Sequence, residues 1–406
     1  MSSDLFSYDF YSIAHQHLRD TLGSDKAEFK ADQLEAILSI VEHRKKLLLV
    51  QRTGWGKSMV YFIATKILRD PEYYSLHLGF ENKSPGTVLM ISPLLSLMRN
   101  QVLEGSSLIE IGRIDSSINQ GERDLVAEKF LNSELDMLIT TPEQLAKEEF
   151  RNNILIPKSS NMSLIIVDEA HCISDWGHDF RPDYMRIRSL ISGLPQQTPV
   201  IATTATANDR VIEDIVKQMG QSIEVSRGKL TRKSIHLQAF DLPSHEERLA
   251  LLVDIINEIR LPGIVYVSTT NKTEIVAEWL KQNGIKAKHY TGENSTIDRE
   301  KIEREFLNDD IQVVVATKAL GMGFNKLNLG FVIHFNTPQS PIDYYQQVGR
   351  AGRALDKAYG ICFLGAEDET INKYFIEKAF PKRESFQSVI NCLEKADRPL
   401  KESEIQ

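Results

Sequence analysis

The chain has 406 residues, 42% hydrophobic and 26% charged, the balance of a globular protein long enough for two domains and part of a third. Its 48 basic and 56 acidic side chains leave −8, which argues against a broad basic surface but leaves room for a narrow groove of N–H groups, Arg and Lys. No run reaches roughly 18–20 apolar residues and MSSDLFSYDF is not a signal peptide, so no membrane partner and a cytoplasmic location are expected.

In chain order, KKLLLV (45–50), TVLMIS (87–92), DMLITT (136–141), SLIIVDE (163–169) and PVIATTAT (199–206) predict near-continuously apolar strands. A second set follows in GIVYVST (263–269), KAKHYT (286–291), IQVVVAT (311–317), FVIHFN (331–336) and GICFL (360–364). Strands apolar on both faces belong to parallel sheets covered by helices. Segments of helical period lie between them, such as KTEIVAEWLKQNG (272–284), closed by its glycine. The pattern predicts two doubly wound α/β domains, residues 1–225 and 226–366, with the turn-rich stretch from Gly220 to Pro243 as hinge.

Residues 367–406 read as a charged helical tail, and the abrupt end KADRPLKESEIQ suggests a cut chain or the start of a further domain. Cys172, Cys362 and Cys392 are far apart. They offer neither a disulfide framework nor a four-thiolate site, so no zinc is expected.

Three motifs carry chemistry. Thr53-Gly54-Trp55-Gly56-Lys57-Ser58 follows the first strand and opens a helix. Its glycines let the backbone wrap a phosphate, Lys57 would reach the β/γ-phosphates of ATP, and Ser58 would sit on Mg²⁺. Gln51 stands where the strict phosphate-loop pattern has its first glycine. Asp168-Glu169-Ala170-His171 ends a buried strand, where open α/β sheets place their ligands. Paired carboxylates there need a cation, so Asp168 would hold Mg²⁺ and Glu169 would polarise the attacking water. In the second half, Gln346-Gln347-Val348-Gly349-Arg350-Ala351-Gly352-Arg353 places two arginines at i and i+3, expected on one helical face. They read as arginine fingers for the γ-phosphate, with Gln346 beside them. A solvated basic helix would explain the pair but not the glycines.

Together the motifs resemble the RecQ family of superfamily-two DNA helicases, over about Phe29 to Leu364, most specifically in DEAHCISDWGHDFRPDYMRI (168–187). The resemblance implies two RecA-like domains with the nucleotide in the cleft between them, ATP and Mg²⁺, and 3′→5′ movement on single-stranded DNA or a single-strand/duplex junction. It makes WGHDFRP a DNA-sensing loop, with Trp176, Phe180 and Arg181 on DNA and His171, His178 and Asp179 in the relay to hydrolysis. Stacking a base on an aromatic face gains about 1–3 kcal/mol regardless of sequence. Phe29, Lys30 and Gln33 resemble the adenine-recognising motif. Ser92 and Thr141 match backbone-gripping segments, Thr204 and Thr206 a motif linking hydrolysis to closure, Thr291 a further phosphate contact, and Thr317 a coupling motif within ATKALGMGFNK (316–326). Small hydroxyl residues at strand ends suit backbone rather than base readout.

The sequence departs from the family pattern at Arg52 and Trp55 in the phosphate loop, at Asn325 and Gln347 where acids are usual, and at Ala354 after GRAGR. The family's four-cysteine module and winged helix have no counterpart here, so translocation is better supported than unwinding without further C-terminal elements or a protein partner. An RNA helicase of the DEAH kind, an ATP-switched nucleic-acid clamp and a metabolic P-loop kinase are the competing readings. The last has no use for paired arginines in a second domain.

Overall fold

The computed structural model describes residues 3–70, 73, 85–174, 181–220, 222–321, 324–379, 383–396 and 398. The chain forms two compact units. One comprises Met1–Ser234, Gly321–Leu327 and Tyr345–Arg353, and the other Ile235–Leu320, Asn328–Tyr344 and Ala354–Gln406.

The first unit is built on seven strands: β1 Lys46–Val50, β2 Thr87–Ile91, β3 Ile111–Ile114, β4 Met137–Thr140, β5 Met162–Val167, β6 Val200–Thr204 and β7 Glu224–Arg227. They lie in the order β3-β4-β2-β5-β6-β1-β7, and the pairs are parallel. β2, β4, β5 and β6 are buried along their whole length, because helices cover both faces of the sheet. One core gathers Leu47, Leu49 and Met90 with the N-terminal helix and the helix Lys57–Arg69. The other gathers Leu48, Val50 and Ile165 with the helices on the opposite face.

The second unit has six strands: β8 Ile235–Asp241, β9 Gly263–Tyr266, β10 Ala287–Tyr290, β11 Val313–Ala316, β12 Phe331–His334 and β13 Ala358–Leu364. Their order is β10-β11-β9-β12-β13-β8, again in parallel pairs. Helices in both units start on side-chain caps, with Asn208 accepting from the Val211 N–H, Thr269 from Lys272 and Ser295 from Asp298.

Three strands lay outside the sequence expectation: β3, β7 and β8. Each is an edge strand. An edge strand has a single neighbour, so its side chains need not be apolar. β7 (EVSR) and β8 (IHLQAFD) are mostly exposed, so the stretch expected to be a bare hinge contains both. The change from one unit to the other falls between Ser234 and Ile235. The tail carries the helices Asp368–Ala379 and Arg383–Glu394. Among the described residues, Cys172, Cys362 and Cys392 form no disulfide. Among the described residues, no helix is long and apolar enough to cross a membrane.

Candidate active site

Parallel strands bring all their C-terminal ends to one edge of the sheet. In the first unit that edge collects the phosphate loop after β1, Ser92 after β2, Thr141 after β4, Asp168 after β5, and Thr204 at the end of β6. A cavity of about 580 Å³ opens there, lined among others by Lys57, Ser58, Asp168, Glu169, Arg350 and Arg353.

The phosphate loop is shaped by Gly56, whose φ of 101° is open to glycine but strained for other residues. A Cβ there would also lie 2.6 Å from Gln33 Nε2. Gln33 is buried and braces the loop, its amide donating to the carbonyls of Trp55 (3.1 Å) and Gly56 (3.2 Å). The Lys30 N–H donates to Gln33 Oε1 at 2.9 Å, and Lys30 Nζ to the Gly54 carbonyl at 3.1 Å. Phe29 lies edge-on to His15, with ring centroids 5.0 Å apart. Trp55, where the family has a small residue, turns its indole into the core. Lys57 Nζ donates to the Gln51 carbonyl at 2.9 Å. Burial pushes the Lys57 ammonium below its ordinary pKa, and the nearby Glu169 and Asp168 oppose that shift.

Asp168 is buried and accepts from Thr203 Oγ1 at 2.5 Å and Gln101 Nε2 at 2.6 Å. Burial, and then the neighbouring Glu169, push its carboxyl from 3.8 up to about 6. Tyr184 donates its hydroxyl to the Asp168 carbonyl at 2.9 Å. Glu169 adopts left-handed backbone, φ 47° and ψ 48°, a conformation costing about 1–3 kcal/mol that collects at functional sites. From Glu169 a polar chain crosses the unit. Glu169 Oε2 lies 3.2 Å from His171 Nδ1, which lies 3.1 Å from Thr204 Oγ1. The Thr206 N–H donates to Thr204 Oγ1 at 3.1 Å, and Gln346 Nε2 to Thr206 Oγ1 at 3.3 Å.

The arginines need a correction. The helix Pro341–Val348 stops before them, so Arg350 and Arg353 sit on the turn that follows and share no helical face. Short backbone bonds, Arg350 N–H to Gln347 O and Ala351 N–H to Val348 O, tighten the exit. Gly352, at φ 63°, then reverses the chain. Arg350 Nη1 donates to the Phe324 carbonyl at 3.2 Å. Arg353 Nη1 donates to Asn325 Oδ1 at 2.6 Å, and Asn325 Nδ2 to Glu104 Oε1 at 3.1 Å. Among the described residues, Nε of both arginines is buried without a hydrogen-bond partner. Arg353 is pushed down to about 10, first by burial and then by Arg350 and Arg232. Burial and then Arg52 also lower Lys30, with Arg232 after them.

Ser92 is fully buried, and its hydroxyl has no partner among the described residues. Thr141 precedes the short helix Pro142–Ala146, whose Glu143 meets Arg181 at 3.1 Å. That contact joins two motifs far apart in the chain. Trp176, His178, Asp179 and Phe180 lie outside the described residues. Thr291 and Thr317 belong to the second unit, at the adjacent ends of β10 and β11, where the Thr317 N–H donates to Tyr290 O at 3.3 Å. Sequence reasoning missed Gln101, Glu104, Thr203 and Arg232. Gln101 and Glu104 lie on the helix Leu95–Gly105 after Ser92-Pro93, and that following helix was the available signal. Arg232 had none.

A glycine loop on a helix N-terminus, a lysine, paired carboxylates and two arginines in one cavity define a phosphate-loop nucleotide-binding protein of the doubly wound α/β class. Residues 30–215 match the DEAD/DEAH box helicase family and residues 247–355 the helicase conserved C-terminal domain. The chain is 35% identical to the ATP-dependent DNA helicase RecQ of Pasteurella multocida, over 85% of its own length and 51% of the relative's. It is 31% identical to a Bacillus subtilis protein named "Probable ATP-dependent DNA helicase RecS", over 91% of its length and 71% of the relative's. Mycobacterium smegmatis helicase Lhr, solved bound to ssDNA and AMP-PNP, has a similar fold, with a TM-score of 0.65, 19% identity, and coverage of 87% of this chain and 48% of that one. The chain belongs to the RecQ-like family of superfamily-two helicases. It spans about half the length of the RecQ proteins it matches, 51%, 55% and 56% of them.

Proposed function

We propose that the chain is the motor core of an ATP-dependent DNA helicase, hydrolysing ATP under the stimulus of single-stranded DNA and moving 3′→5′ along it. The observation that carries the ATPase reading is the gathering of Lys30, Lys57, Arg350 and Arg353 around one cavity, with the Nε–H groups of both arginines buried and, among the described residues, unpartnered. Such mutually repelling cations are stabilised by a polyanion, and a nucleoside triphosphate on the loop supplies one. The hard oxygens of Ser58 and Asp168 would hold Mg²⁺, whose charge would stabilise negative charge on the transferred phosphoryl group.

In this reading Lys57 and the loop N–H groups bind the β/γ-phosphates, and Phe29, Lys30 and Gln33 flank the base. Glu169 accepts the proton of the attacking water, while Arg350 and Arg353 meet the charge that develops on the γ-phosphate. The chain from Glu169 through His171, Thr204 and Thr206 to Gln346 couples hydrolysis to movement. The RecQ relatives support DNA as the track. Thr141, Arg181, Thr291 and Thr317 grip its backbone, while the fully buried Ser92 side chain does not reach it; Trp176, His178, Asp179 and Phe180 sense it, and the location is the cytoplasm. Separation of a single-strand/duplex junction draws on further elements or on a protein partner.

Steady-state ATP turnover tests this with and without a short single-stranded DNA or RNA. Strong stimulation by DNA is expected, with turnover falling about 10²–10⁴-fold in Glu169→Gln while nucleotide binding persists. Arg350→Ala should cost about 10³–10⁵-fold. Stimulation by RNA alone would move the assignment to an RNA helicase, and none by either would end the motor reading.

A further inference from the structure

Between β7 and β8, the segment from Gly228 to Ser234 joins the phosphate-loop side of the first unit to the arginine turn. At its start, the Gly228 N–H donates to the Val50 carbonyl at 3.0 Å. A Cβ on Gly228 would fall 2.0 Å from Gln51 Oε1, and Gln51 is the residue whose carbonyl accepts from Lys57. At its end the segment grips the turn at several points. The Tyr345 hydroxyl donates to the Leu230 carbonyl at 2.8 Å. Arg232 Nη1 donates to the Gly349 carbonyl at 2.7 Å, and its Nη2 to the Gly352 carbonyl. Ser234 Oγ donates to the same Gly352 carbonyl at 3.2 Å.

The two carbonyls that Arg232 spans bracket Arg350, and Arg353 follows directly. A planar guanidinium on two carbonyls fixes their separation and orientation together, which a point-charge lysine cannot do. It also gives hydrogen-bond partners to two carbonyls of the turn that follows the helix end at Val348. We propose that Arg232 is a positioning residue for hydrolysis: its fork sets the geometry of the Gly349–Gly352 turn, and through it the aim of Arg350 and Arg353 at the phosphate site. The proposal rests on reading those two arginines as the groups that meet the γ-phosphate.

The test is steady-state ATP turnover of the full chain at saturating single-stranded oligonucleotide, with binding of a non-hydrolysable ATP analogue and the melting temperature of each variant. Arg232→Ala should lower kcat about 10²-fold, the scale of a 1 Å misplacement, with analogue affinity within about twofold of the parent. Arg232→Lys, which keeps charge and bulk but not the fork, should also lower kcat and covers the case in which the alanine variant does not fold. Adding Arg232→Ala to Arg350→Ala should cause little further loss, since one residue acts through the other. Losses that multiply, an unchanged kcat in a folded variant, or affinity falling as far as kcat would each overturn the proposal. Parental turnover in both Arg350→Ala and Arg353→Ala would instead defeat the arginine-finger reading, and the role of Arg232 with it.

Discussion

At the scale of single residues, the site holds charges in states that suit a bound polyanion better than an empty cavity. Asp168 shows the consequence for pH. Its carboxyl is pushed from 3.8 up to about 6, chiefly by burial and next by Glu169. Between those values the folded state binds a proton that the unfolded chain has released, so stability falls as pH rises from about 4 through about 6. Asp168→Asn removes that ionisation, and the Gln101 amide that faces it can turn over to meet the new group. Without nucleotide or metal, the variant should melt a few degrees above the parent near neutral pH, with the gap closing around pH 4. Calorimetry showing the same gap at both pH values would refute the assignment.

At the scale of elements, close contacts between neighbouring strands decide what the sheets tolerate. Gly263 begins β9, and a Cβ there would lie 2.1 Å from the ring of Phe331 in the adjacent β12. That ring is fully buried and has nowhere to go. Gly263→Ala should therefore destabilise the second unit by about 1–3 kcal/mol, seen as a lower urea midpoint, whereas an unchanged midpoint would mean the ring relaxes. Element by element, the strands legible in the sequence were mostly those buried on both faces, such as TVLMI and MSLIIV, the edge strand β10 (AKHY) being the exception. β3, β7 and β8 were not legible, because an edge strand keeps polar side chains and its sheet membership rests on backbone bonds. The arginine segment failed for a related reason: RxxR spacing matches a helical face, but Gly349 and Gly352 release the chain from the helix first.

At the scale of the whole molecule, charge constrains how the proposed DNA track would be held. The chain carries −8 overall, so the proposed grip relies on N–H groups, hydroxyls and a few cations such as Arg181. Each phosphate neutralised adds about −0.7 to the slope of log affinity against log salt for single strands. A shallow slope, about −2 to −4, is expected when oligonucleotide affinity is titrated across salt, and a slope near −7 or steeper would reveal a basic track not apparent from composition.

The sequence alone determined the two parallel α/β units, the phosphate loop and the carboxylate pair, because alternating apolar strands and glycine-rich strand-to-helix turns are local features with few other uses. The roles proposed for Lys57, Asp168 and Glu169 rest on the same local pattern, Lys57 opening the helix after the phosphate loop and the carboxylates following β5. Only the tertiary structure decided what surrounds them: Thr203 and Gln101 on Asp168, Gln33 on the loop carbonyls, the Trp55 indole in the core, and Arg232 spanning Gly349 and Gly352. Those partners lie up to 120 residues apart along the chain. Such contacts leave no periodicity in the sequence, because they depend on which strand ends the sheet order brings together.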